Sequence, residues 1–75
     1  MKVWTLAKDG HAVEVTDTGW ISGPDVPFLE EVRRLFEQPL DDTGAFPLPG
    51  MRGYPETRVE QLAKEGFQVL EADEV

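Results

Sequence analysis

The 75 residues carry 15 acidic and 7 basic side chains, a net charge of −8, and no cysteine. That length holds one domain with a small core, spanning residues 1–75. The missing thiols exclude disulfides, thiolate metal sites and cysteine nucleophiles.

The segment 1–9 starts apolar but is broken by Thr5 and stopped by Lys8 and Asp9, too early for a secretory leader. No run of residues is long and apolar enough to span a membrane, so the expected location is cytoplasmic. Asp9-Gly10 then separates two strand-like runs, 2–8 and 11–16. A type I′ turn needs positive φ at both central residues, which Asp-Gly supplies. The register that follows opposes Lys8 to His11, Ala7 to Ala12, Leu6 to Val13, Thr5 to Glu14, Trp4 to Val15 and Lys2 to Asp17. It gathers Trp4, Leu6, Val13 and Val15 on one face, and a one-residue slip would scatter them.

Asp17-Thr18-Gly19 suits a three-residue turn into a short strand, Trp20-Ile21-Ser22. Ile21 joins the apolar face opposite Val15, and Trp20 points the other way. Gly23-Pro24 ends the strand. Asp25 is placed to cap a helix whose first turn tolerates Pro27. Phe28, Leu29, Val32, Leu35 and Phe36 recur at helical spacing, with Glu30–Arg34 as a supporting ion pair on the wet face. Pro39 stops that helix.

Residues 39–55 read as a long loop rich in proline and glycine. It also carries Leu40, Phe46, Leu48, Met51 and Tyr54, too many apolar groups for a solvated linker. The expectation is an ordered segment over 45–54, with Phe46 or Leu48 buried and Arg52 or Tyr54 exposed. Thr57-Arg58-Val59-Glu60 matches a capping box, so a second helix is expected to start near Pro55–Thr57, with Val59, Leu62 and Ala63 inside. Gly66 is its C-terminal stop. Phe67–Glu71 reads as a returning strand and residues 72–75 as a frayed tail. The predicted fold is therefore α+β: an antiparallel three-strand meander, two helices and a C-terminal strand, in the order β-β-β-α-α-β.

No constellation in this pattern carries catalysis. Asp-Thr-Gly at 17–19 and 42–44 is the aspartic-protease triplet, but two protease lobes do not fit in this length, and the triplet is an ordinary turn sequence. Asp41-Asp42 lacks the alternating ligands of a calcium loop, and one histidine without cysteine cannot fill a zinc site. His11 has no nucleophile placed beside it and reads as an exposed turn residue. The sequence thus predicts no enzyme, no metal and no cofactor. Its seven basic residues do not cluster, and the net charge repels phosphates, so nucleic acid and anionic membranes are excluded as partners. The lack of asparagine fits a thermophile's avoidance of labile residues, although GC-rich codon usage would give the same result.

The favoured expectation is a small acidic protein–protein interaction module, a regulator or inhibitor of a larger and more basic partner. Trp20, Phe46, Leu48, Met51, Arg52 and Tyr54 are its candidate contact residues, because aromatics, Met and Arg concentrate at interface hot spots. The alternatives are an accessory domain stable as a homo-oligomer and an acidic mimic of nucleic acid.

Overall fold

Asp9 and Gly10 both take positive φ, 53° and 83°, and close the first hairpin. The computed structural model describes residues 1–40 and 47–73. Strands β1 (Lys2–Lys8) and β2 (His11–Thr16) pair in the register set by that turn, from Lys8 opposite His11 to Trp4 opposite Val15. Gly19, at φ 90°, delivers the chain into β3 (Ile21–Ser22), where Ile21 opposes Val15. The third strand is one residue shorter than the expected Trp20–Ser22. Thr16 Oγ1 takes the Trp20 N–H at 3.1 Å, so Trp20 ends the turn, although its carbonyl still accepts from Thr16 N at 2.9 Å.

Helix α1 (Val26–Phe36) starts where Asp25 accepts the Phe28 N–H, with Pro27 in the first turn. It buries Phe28, Val32 and Phe36, and half-buries Leu29 and Leu35. On its wet face Glu30 pairs with Arg33 at 3.2 Å, not with the Arg34 that i,i+4 spacing favoured. Such an exposed pair contributes little to stability whichever arginine makes it.

Helix α2 (Tyr54–Lys64) starts earlier than the capping box implied. Its N-cap is Gly53, at φ 85°. Thr57 lies inside the first turn and donates back to the Gly53 carbonyl at 2.9 Å. The drive for the earlier start is burial: Tyr54 and Pro55 are drawn into the body, and only glycine meets the left-handed turn before them at no steric cost. Val59 and Leu62 line the core as expected, while Ala63 is exposed. The helix ends in a Schellman motif, with Gly66 at φ 103°, Gly66 N–H to Ala63 O at 3.4 Å and Phe67 N–H to Leu62 O at 3.0 Å.

Strand β4 (Gln68–Asp73) returns beside β1, giving the antiparallel sheet order β3-β2-β1-β4. It begins one residue later than the expected Phe67, which the Schellman motif holds. It also runs on through Ala72 and Asp73, expected as a frayed tail but here opposite Val3 and Lys2. Trp4, Leu6, Val13 and Val15 form the inner face against Phe28, Val32, Phe36, Tyr54, Val59 and Leu62. The fold is thus α+β, a four-stranded antiparallel sheet with both helices on one side. Among the described residues, no helix is long and apolar enough to cross a membrane.

Candidate functional site

Alternation along the strands sends every second side chain to the face that the helices leave open. Reading across the sheet, the first row on that face is Trp20, Thr16, Val3 and Ala72. The second is Ser22, Glu14, Thr5 and Leu70, and the third is Ala12, Ala7 and Gln68. These rows contain one charged group, Glu14, in a chain that is 29% charged. Trp20 is 71% exposed and Leu70 72% exposed, so the face presents two large apolar side chains. The turn behind Trp20 is braced by the Thr16 and Thr18 hydroxyls, 2.7 Å apart, and by the Gly19 N–H on Thr16 O at 3.0 Å.

The loop residues divide. Leu48 is 44% exposed and Met51 53% exposed, and Arg52 is exposed as expected. A tight turn holds them, with Met51 N–H on Leu48 O at 2.9 Å and Tyr54 N–H on Met51 O at 3.2 Å. Phe46 lies outside the described residues, as do Asp41-Asp42 and the second Asp-Thr-Gly. Met51 and Arg52 share a cleft of about 420 Å³ with the 17–19 turn, but Trp20 does not line it.

Tyr54 is not a contact residue: it is 2% exposed. Its hydroxyl donates to the Gln38 carbonyl at 2.5 Å, with the Leu35 carbonyl at 3.2 Å beside it, and accepts from Arg58 Nε at 3.1 Å. Arg58 Nη2 reaches the Gln38 and Pro39 carbonyls, and Nη1 donates to Gln61. The guanidinium therefore sits on the carbonyls of the segment just past the end of α1, near the end where the helix dipole favours a cation. The capping-box pattern Thr57-Arg58-Val59-Glu60 assigns Arg58 no role of its own; its i,i+4 spacing from Tyr54 is the available signal.

A groove of about 680 Å³ runs between the hairpin turn, α1 and the end of α2. His11, Phe28 and Phe67 stack along it, with centroid separations of 5.5 and 6.2 Å, and Lys8 Nζ lies 5.0 Å from the Phe67 ring. His11 is exposed at the turn, as expected, and its Nδ1 contacts the Asp25 carboxylate, so this histidine also braces the cap of α1. The His11 hydrogen bond, and then the Phe28 N–H, hold Asp25 below the usual carboxylate range. Among the described residues, no Ser or Thr lines this groove.

Among the described residues, no strand neighbours the outer edge of β4. The two-residue turn makes Lys8–His11 a hydrogen-bonded pair, so Lys2, Trp4, Leu6 and Lys8 direct their backbone groups to β2. The Asp17 N–H on Lys2 O at 3.0 Å agrees with that parity. Val3, Thr5 and Ala7 then bond to Ala72, Leu70 and Gln68, and Val69, Glu71 and Asp73 aim theirs outward. On the helix side of this edge, Lys2 Nζ lies 3.3 Å from Glu71 and 3.7 Å from Glu56. No family model, curated protein or solved structure matches the chain.

Proposed function

We propose that this chain is a non-enzymatic protein–protein interaction module that binds through the open face of its sheet. The observation that carries the reading is the contrast in charge. A chain of net charge −8 has a sheet face with one carboxylate and two exposed large apolar groups, Trp20 and Leu70. Trp20 and Leu70 stand on opposite sides of this face, with β2 and β1 between them, and a partner that covers both removes their apolar surface from water. The surrounding acidity favours a partner whose contact surface is apolar at its centre and basic at its rim, and it speeds encounter with such a partner. A regulator or inhibitor of a larger basic protein fits this description.

The test compares the full chain with a Trp20→Ser/Leu70→Ser variant as bait in the native host's extract, at low and high salt. The expected result is a defined protein retained by the wild type, released by salt and lost with the variant. Equal retention by both baits would overturn the reading. The same low-charge face favours one second reading, a homodimer stacked through it. Sedimentation at micromolar concentration separates the two, because a self-associating module sediments as a dimer that the double variant dissolves.

A further inference from the structure

We propose that the outward edge of β4 takes up an extended, cationic segment of a partner protein as a fifth, antiparallel strand. This inference rests on the interaction-module reading and adds a second contact and a partner chemistry to it. Among the described residues, Val69, Glu71 and Asp73 direct their N–H and C=O groups away from β1, and no strand lies beyond β4. A row of this kind is a template for strand addition.

The occupant follows from charge. Glu71 and Asp73 oppose Trp4 and Lys2, so their side chains share the helix side of the edge. Glu56 joins them through Lys2, which contacts both Glu56 and Glu71. Glu56, Glu71 and Asp73 thus cluster around Lys2, and carboxylates outnumber the lysine along the edge. A second copy is the poorer occupant. Antiparallel β4–β4 pairing sets Glu71 and Asp73 of two chains of net charge −8 close together, and like charges across a ladder destabilise it. The opposite side of the same edge presents Leu70, 72% exposed, with Ala72 and Gln68. The matching segment therefore alternates: Lys or Arg opposite Val69, Glu71 and Asp73, and apolar residues between them, over Leu70. In antiparallel addition, the residues opposite Glu71 and Asp73 make the backbone bonds, so the basic positions of the segment carry the hydrogen bonds to β4.

The probe is the capped hexapeptide Lys-Val-Lys-Val-Lys-Val, titrated into the full 15N-labelled chain. Three controls accompany it: the block peptide Lys-Lys-Lys-Val-Val-Val, and alternating peptides N-methylated at the lysines or at the valines. The expected result is saturable shifts of the Val69, Glu71 and Asp73 amides. Binding weakens by about tenfold or more for the block peptide and the N-methyl-lysine peptide, and the N-methyl-valine peptide behaves like the parent. Equal binding by all four peptides reduces the contact to charge attraction and overturns the inference. Shifts confined to Trp20, Thr5 and Leu70 also overturn it, but leave the open-face reading standing. Absence of binding by every peptide at millimolar concentration overturns the edge site, while the capture experiment still decides the interaction-module reading.

Discussion

Arg58 Nε donates to the Tyr54 hydroxyl at 3.1 Å, one helical turn back along α2, and the two side chains together hold the Gln38 carbonyl just past the end of α1. A buried cation satisfied by carbonyls is costly to remove, since each acceptor is left without a partner. Arg58→Ala should lower stability by about 2–4 kcal/mol and Tyr54→Phe by about 1–3 kcal/mol, read from urea unfolding midpoints. The double variant should lose less than the sum, because the two groups share the Gln38 carbonyl. Strict additivity would mean that they act separately.

The two faces of the sheet should answer oppositely to the same substitution. Leu6 is 0% exposed and Leu70 is 72% exposed, although only one strand boundary separates them. Leu6→Ala opens a cavity and should cost about 2–5 kcal/mol. Leu70→Ala should change stability by less than about 0.5 kcal/mol. A comparable loss at both positions would show that the outer face is covered in solution, as in a stacked dimer.

The hairpin was legible in the letters because Asp9-Gly10 leaves few turn geometries and each register has a different hydrophobic outcome. Asp25, Pro27 and Gly66 were legible for the same reason, each satisfying a local rule at a helix end. The start of α2 was not. Thr57 and Glu60 match a capping box, yet burial of Tyr54 and Pro55 draws the helix onset back to Gly53. Tertiary packing outweighed a local cap whose loss costs only about 1 kcal/mol. The same burial removed Tyr54 from the candidate contacts, whereas Trp20 was placed outward by strand parity alone. The partnership of His11 with Asp25 joins residues 14 apart across a turn and a short strand, and no local pattern reports it.

Lys2 should titrate above the ordinary lysine range. Its hydrogen bond to Glu71, then the charges of Glu71 and Glu56, favour the ammonium. A folded value raised above the unfolded one gives a contribution that is fully present below the unfolded pKa and lost as pH rises through the folded value. Glu71→Gln should return the Lys2 13Cε titration towards its ordinary midpoint without unfolding the sheet. An unchanged Lys2 titration in that variant would refute the ion pair. Both side chains are half-exposed, so the effect on stability is small and shrinks with salt.

The acid limb of stability should depend on Asp25. Its carboxylate accepts the Phe28 N–H at the start of α1 and contacts His11 Nδ1, and these two interactions depress its pKa, the His11 contact first. A carboxyl group depressed by folding contributes stability above its unfolded value, near pH 4, and loses that contribution as pH falls through the folded value. Asp25→Asn separates the two roles, because the Asn oxygen can still cap Phe28 while the charge facing His11 is gone. Urea midpoints from about pH 6 down to about pH 2 should therefore show a wild-type advantage that is constant above about pH 4 and vanishes at the acid end. His11→Ala should narrow the window by letting the Asp25 pKa return upwards. An advantage that persists undiminished at the acid end would mean that Asp25 acts through its shape as a cap and not through its charge.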